Sequence, residues 1–331
     1  MKRLRFLVLA LLAALAAACA PRVEPAGPRV APPRLEAGGI VMGDGVTLPL
    51  RRWGPDGAPR AVVLALHGIN DYSNAFDGAG RFLAGRGIAT YAFDQRGFGA
   101  APNRGMWPGT ASLVGDARDA ARAIGAAHPG APLYLMGESM GGAVAMLAVA
   151  GPDPVPAAGA VLVAPAVWGR ESMNVFYKAT LWLAAHTVPW WKLTGEGLKI
   201  RPSDNVEMLR ALSQDPLVIK GTRVDAIWGV VDLMDRAYDD APRAARPVLL
   251  LYGKNDEIIP KAPTFAAMRA LPPDNGSRLA FYGDGFHMLL RDLKGEVVLE
   301  DVAAWIADRA APLPSGADAA AREALSAAEG E

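Results

Sequence analysis

The most specific chemical signal in the chain is Gly137-Glu138-Ser139-Met140-Gly141. An apolar stretch at 133–137 precedes it, and a run rich in Ala and Gly over 140–150 follows. Flanking glycines let a strand turn abruptly into a helix, and that turn presents the serine hydroxyl at the helix N-terminus as a nucleophile. The bare pattern is a moderate signal in a chain with 36 glycines; its strand–turn–helix setting makes it specific. A serine hydroxyl needs a base, and four histidines are present. His67 ends an apolar strand and reads as a structural residue, His128 precedes Pro129 at a helix end, and His186 lies in a helical insertion. His287, on a loop after Gly283-Asp284-Gly285-Phe286, fits the chain order serine, acid, histidine. The acid that orients the imidazole is assigned to Asp256, just past the apolar stretch 247–253; Glu257 is the nearest rival, and Asp232 and Asp235 are remoter ones. In His67-Gly68-Ile69-Asn70 the glycine lets the loop approach the nucleophile. The backbone N–H groups of Ile69 and Met140 would then form an oxyanion hole, each donor worth ~2.7–4 kcal/mol in the transition state.

These residues need a scaffold, and the hydropathy pattern supplies one. Residues 39–53 read as a hairpin turning at Gly43-Asp44-Gly45. Apolar strands at 61–67, 88–94, 133–137, 160–164, 247–253 and 278–283 alternate with helical patterns at 75–86, 110–128, 140–150, 262–270 and 295–309. Strands that are apolar throughout and alternate with helices imply a mostly parallel central sheet with helices on both faces. In such sheets chemistry collects at the carboxyl ends of the strands, where Ser139, Asp256 and His287 all fall. The core is expected over 39–165 and 246–311, interrupted by a helical cap at 166–245 that has no convincing strand and holds five of the eight tryptophans. Among these, Trp182, Trp190 and Trp191 are expected to wall a substrate pocket; packing of the cap onto the sheet is the plainer use of such aromatics.

The ends are different in kind. Lys2, Arg3 and Arg5 precede 13 apolar residues, Phe6 to Ala18, too few to span a bilayer, which takes about 20. With no polar face, the run reads as a signal peptide over 1–18 rather than a core helix. The single cysteine, Cys19, falls directly after Leu15-Ala16-Ala17-Ala18. That placement is similar to a bacterial lipoprotein box, in which the cysteine becomes the lipidated first residue; ordinary cleavage at Ala-x-Ala is the alternative. Ala20 after the cysteine implies sorting to the outer membrane, facing the periplasm. Residues 19–38 carry five prolines between 21 and 33 and are expected to extend as a tether, ~3.1 Å per residue, holding the domain ~40 Å from its anchor. Residues 312–331 read as a flexible tail, with at most a short helix.

Composition narrows the functions. Hydrophobic residues make up 51% of the 331, enough for a large core, and formal net charge is zero, which disfavours a nucleic-acid partner. One cysteine excludes a disulfide framework or a multi-cysteine metal site, and no H-E-x-x-H pattern occurs.

Together His67-Gly68, Asp94-Gln95-Arg96-Gly97-Phe98-Gly99, the elbow at Ser139, the Asp256 segment and His287 resemble the α/β-hydrolase superfamily, and within it the monoacylglycerol lipase and bacterial lysophospholipase branch. The resemblance covers about residues 39–310. It implies an α/β-hydrolase fold with an inserted helical cap, an ester hydrolase without cofactor, and a lid over an acyl pocket. The chain departs from that branch at Phe98, often His, at Ala101, often Ser, and at Asn70-Asp71-Tyr72, where Glu-His is usual. The expected activity is hydrolysis of single-chain acyl esters such as lysophospholipids or monoacylglycerols. A peptidase or amidase on the same residues, or a non-catalytic surface-anchored scaffold, are the competing readings.

Overall fold

The computed structural model describes residues 20–328 apart from 152 and 198. The segment read as a signal peptide, residues 1–18, and Cys19 lie outside the described residues. Three strands open the order, β1 (Arg34–Glu36), β2 (Gly39–Val41) and β3 (Thr47–Trp53), antiparallel neighbours of which β2 and β3 turn through Gly43 to Gly45. There follow β4 (Ala61–Leu66), α1 (Asp77–Ala84), β5 (Ile88–Phe93), α2 (Thr110–Ala127), β6 (Leu133–Glu138), α3 (Met140–Val149) and β7 (Gly159–Val163). Then comes the insertion: α4 (Val175–Thr187), β8 (Lys192–Thr194), α5 (Val206–Gln214), β9 (Gly221–Arg223) and α6 (Val224–Asp240). The chain returns through β10 (Val248–Gly253), α7 (Lys261–Ala270), β11 (Arg278–Tyr282), α8 (Gly295–Ala307) and α9 (Ala317–Ala327). Nine strands form one sheet in the order β1-β2-β3-β5-β4-β6-β7-β10-β11, parallel from β5 to β11.

The apolar strands are buried on both faces, which is why they show no polar alternation. In β4, Val62, Leu64 and Leu66 pack with α2 and α3, while Ala61, Val63 and Ala65 pack with α1 and α8. All ten residues of α3 are buried. A helix apolar on every side lies inside, and α3 sits between the sheet and the helices α2 and α6. Each fully buried Leu or Val contributes ~1.5–3 kcal/mol; truncating Leu64 to Ala would cost ~2–5 kcal/mol. Parallel registers such as Leu66 opposite Gly137 and Glu138 opposite Val163 bring the carboxyl ends of β4, β6 and β7 level. The loops carrying His67, Ser139, Asp256 and His287 therefore share one edge.

Three expectations about the periphery change. The cap contains strands: β8 and β9 pair antiparallel, Lys192 with Arg223 and Thr194 with Gly221. Strands of three residues have too little length for a periodic signal. The proline-rich segment does not extend freely as a tether. Val23 bridges to Trp107, Glu24 N–H donates to the Trp107 carbonyl at 2.8 Å, Ala26 N–H to Ser112 Oγ at 2.9 Å, and Arg29 pairs with Asp119 at 2.8 Å. Val30 N–H then meets the Gly43 carbonyl at 2.7 Å. An extended chain has its backbone groups free for a neighbouring surface, and here they are used. Residues 312–328, expected as a flexible tail, include the helix α9, with Leu313, Ala317 and Ala321 buried. Asp301, wholly buried in α8, accepts hydrogen bonds from Ser315 and from the Tyr282 hydroxyl, which fixes the start of that segment.

Candidate active site

Ser139 sits between β6 and α3 with φ 54° and ψ −116°. A non-glycine residue at positive φ is held there only by surrounding structure that over-determines it. Its own N–H donates to the Val163 carbonyl at 2.9 Å, and its carbonyl accepts from the amides of Gly142, Ala143 and Ala166. The flanking glycines are required by proximity: a Cβ on Gly137 would overlap the Gly141 carbonyl, and one on Gly141 the Leu66 carbonyl. Met140 is the first residue of α3, so its amide is one of the leading N–H groups that have no acceptor within their own helix. The same helix end carries positive dipole charge.

The loop after β4 lies against this turn, with a Cβ on Gly68 only 3.4 Å from Ser139 Cβ. The Ile69 amide follows directly. Asn70 has φ 66°; its carbonyl accepts from Ile219 N–H at 2.9 Å and its side-chain amide donates to Thr222 Oγ1 at 2.6 Å, so the cap holds the loop. His67 is fully buried and has both ring nitrogens engaged: Nδ1–H faces the Gly68 carbonyl at 2.8 Å, and Nε2 accepts from the Gln95 amide at 3.0 Å. Burial lowers its pKa, against the Gly68 carbonyl and the nearby carboxylates of Asp71, Asp94 and Glu138. A neutral ring wired into two loops supports the structural role read from the sequence.

Asp256 and His287 meet at the same edge. His287 Nδ1 lies 2.8 Å from Asp256 Oδ2, both residues buried, and Asp256 Oδ1 accepts from the amides of Ile258 and Ile259 at 2.8 and 3.0 Å. Their two loops lock together through Asn255 N–H to the Gly285 carbonyl at 2.9 Å, an approach that leaves no room for a Cβ on Gly253. The other carboxylates considered are committed elsewhere. Glu257 accepts from the Arg201 amide at 2.8 Å, and Asp232 and Asp235 pair with Arg170. His186 stacks on Trp182 and His128 bonds the Tyr91 hydroxyl.

One participant escaped the sequence reading. Arg291, on a short helical turn just after His287, reaches Asp71 Oδ2 at 2.8 Å and Glu138 Oε1 at 2.6 Å. Burial opposes its charge, but Glu138 and Asp71 outweigh that and raise its pKa. It thereby ties the loop after β4, the residue before Ser139 and the His287 loop together. Nothing in the sequence marks an arginine whose partners are 220 and 153 positions away.

Trp182, Trp190 and Trp191 are 54, 53 and 61% exposed, so most of each ring faces solvent rather than a protein wall. The helix α4 buries only Ala185, because Trp228 and the rest of α6 cover just one narrow stripe of it. A cavity of about 520 Å³ lies elsewhere, between the residues following β7, the end of α6 and the start of α7. Val167, Trp168, Tyr238 and Pro260 line it, with Glu171 and Asp239 at its rim.

A strained serine between strand and helix, an imidazole–carboxylate pair at the same edge of a mostly parallel sheet, and a cap inserted after β7 define a hydrolase of the α/β-hydrolase superfamily. Residues 57–294 match the family described as serine aminopeptidase, S33, and the chain belongs to that family. It falls in the monoacylglycerol lipase-like branch and is a carboxylic ester hydrolase. It is 27% identical to human monoglyceride lipase over 282 residues, 82% of this chain and 90% of that protein. To the monoacylglycerol lipase of Mycolicibacterium smegmatis it is 26% identical over 267 residues, 79% of this chain and 93% of the relative. The crystal structure of a Paleococcus ferrophilus monoacylglycerol lipase aligns with TM-score 0.63 and 25% identity, covering 79% of this chain and 99% of that one.

Proposed function

We propose that the protein hydrolyses single-chain acyl esters, lysophospholipids or monoacylglycerols, through an acyl-enzyme on Ser139. The Asp256–His287 contact carries this reading. With its Nδ1–H held by Asp256, the imidazole keeps a lone pair on Nε2, the atom that takes the serine proton. Ser139 Oγ then attacks the ester carbonyl, and the oxyanion that forms is received by the amides of Ile69 and Met140. His287 returns the proton to the departing alcohol, and water releases the acyl group by the same steps. The relatives named as monoglyceride lipases support a lipid ester as substrate, as does the fold shared with a yeast monoglyceride lipase variant solved in complex with a substrate analog. Export, with lipidation of Cys19 and anchoring at the outer membrane, completes the proposal.

Ser139→Ala should abolish ester hydrolysis with the fold intact, and His287→Ala should be nearly as severe, because such groups act as a unit. Retention of more than a few per cent of turnover by Ser139→Ala would remove the assignment. On acyl esters of rising chain length, turnover efficiency should climb from acetyl for as long as each added CH₂ is buried, by about fourfold per CH₂ at ~0.8 kcal/mol each. A peptidase reading is favoured by one observation, the Glu171 and Asp239 carboxylates at the cavity rim, which suit a free amine. Amino-acid anilides cleaved faster than octanoyl esters would establish it over the lipid-ester reading.

A further inference from the structure

We infer that Ser203 of the cap and Asp292 are positioning residues for His287, so that the seating of the cap on the core sets the imidazole in register with Ser139. This rests on the proposed role of His287 as the base. Between β8 and α5 the cap runs through Arg201-Pro202-Ser203-Asp204-Asn205, and each of these residues meets the stretch 286–293. The Arg201 guanidinium lies over the Phe286 ring, 5.2 Å from its centre. The Pro202 carbonyl accepts from Met288 N–H at 2.9 Å. Ser203 Oγ donates to Asp292 Oδ1 at 2.6 Å. Asp204 Oδ1 accepts from Leu293 N–H at 2.8 Å, and Asn205 Nδ2 donates to the Arg291 carbonyl at 3.0 Å. The clasp is stiff. Asn205 also caps α5 by accepting from Met208 N–H at 3.1 Å, and Pro202 fixes its own φ.

What the clasp fixes is the backbone on either side of the imidazole. Asp292 Oδ2 accepts from Phe286 N–H at 2.8 Å, so the amide before His287 hangs on a carboxylate whose other oxygen is held by Ser203. The amide after it, Met288 N–H, is held by Pro202 directly. The neighbouring fastenings stop short of His287: Asn255 grips Gly285 on one side, and Arg291 grips Asp71 and Glu138 on the other. Asp256 holds the ring at Nδ1 alone, and a ring held at one atom swings about that contact unless its backbone is fixed. Ser203 is wholly buried and Asp292 is 8% exposed. Hydrogen bonds to a carboxylate are roughly twice as strong as neutral ones, and water has little access to replace one lost here. Bonds that merely fastened the cap would serve anywhere along its edge; these fall on the two amides flanking His287. The same cap holds the Ile69 loop through Asn70, so one body sets both the base and an oxyanion donor.

The test follows kcat, KM and the low-field proton resonance of His287 Nδ1–H in the full chain, with a soluble short-chain ester as substrate. That resonance reports the hydrogen bond to Asp256, and its loss in His287→Ala identifies it. A ~1 Å misplacement costs ~10²-fold in rate, and one lost bond permits less, so Ser203→Ala should lower kcat about tenfold with KM changed by less than about twofold. It should also broaden or shift the resonance. Asp292→Ala, which frees the Phe286 amide as well, should lose ~10²-fold in kcat. Asp292→Asn should recover most of kcat, because its carbonyl oxygen can keep the Phe286 amide while its NH₂ donates to Ser203 Oγ. If Asp292→Ala fails to fold, Ser203→Ala decides. Wild-type kcat and an unaltered resonance in Ser203→Ala, measured well below its Tm, overturn the inference even where stability falls. A loss confined to KM overturns it too, as does an asparagine variant no better than the alanine one. Turnover retained by His287→Ala removes the base assignment itself; turnover lost there, with Ser203→Ala unimpaired, removes only the positioning role.

Discussion

Replacing Arg291 by Met tests how the active-site loops are held together. The guanidinium is 13% exposed and lies between the carboxylates of Asp71 and Glu138, 7 and 3% exposed, at 2.8 and 2.6 Å. Removing one partner of a buried ion pair costs ~3–5 kcal/mol, because the charge left behind stays desolvated. Here two carboxylates are left, so the upper part of that range is expected, a fall in Tm on the order of 10 °C. The functional loss should exceed what stability alone explains. Asp71 belongs to the loop that presents Ile69, Glu138 precedes Ser139, and Arg291 closes the turn after His287, so the variant frees three parts that must agree. A displacement of ~1 Å between such groups costs about 10²-fold in rate. Measured well below the variant's Tm on a soluble ester, kcat should fall ~10²-fold with KM changed far less. Arg291→Lys, which keeps the charge but not the fork, should recover most of the stability and only part of kcat. Combining Arg291→Met with Asp71→Asn and Glu138→Gln should restore stability relative to Arg291→Met, since the uncompensated charges are gone. A loss below about 1 kcal/mol in denaturant unfolding, or a triple variant no more stable than the single one, would refute the reasoning.

Stability should decline as pH falls below about 6.5, the ordinary value for histidine, because burial holds the folded-state pKa of His67 beneath it. The unfolded chain then takes up the proton first, so the stability present above pH 6.5 is lost on acidification; His67→Asn should show a shallower slope between pH 7.5 and 5.5 in denaturant unfolding, and an unchanged slope would assign the effect to other groups. Truncation after Ala311 should cost ~3 kcal/mol or more, from Leu313 leaving the core and Asp301 losing Ser315. Equal unfolding midpoints for the two forms would show that α9 adds nothing. EDTA should leave turnover unchanged, since among the described residues no cluster of three or more His, Cys, Asp or Glu could hold a metal ion; inactivation reversed by added metal would contradict the serine mechanism.

The sequence alone determined the inner strands of the sheet and singled out Ser139 and His287, because both are written in short-range patterns. A short apolar run between helical patterns reads as an inner strand by its length and its β-branched residues, a serine between glycines at a strand end needs no distant partner to be noticed, and chain order separates His287 from the other histidines. It also assigned His67 to structure. Tertiary contact decided the rest. Arg291 looks like any surface arginine until the loops converge on it. Asp256 is separated from Glu257 only by which of two adjacent carboxylates turns towards the imidazole. Residues 23–30 read as part of a tether and 312–328 as a tail because prolines, alanines and polar residues carry no periodic signal, yet their backbone groups found partners on the folded body. The tryptophans of the cap show the limit most plainly. Apolar density in a helix says that a face must be covered, but whether protein or something outside the chain covers it depends on how wide a stripe the neighbouring helix reaches, and α6 reaches little beyond Ala185.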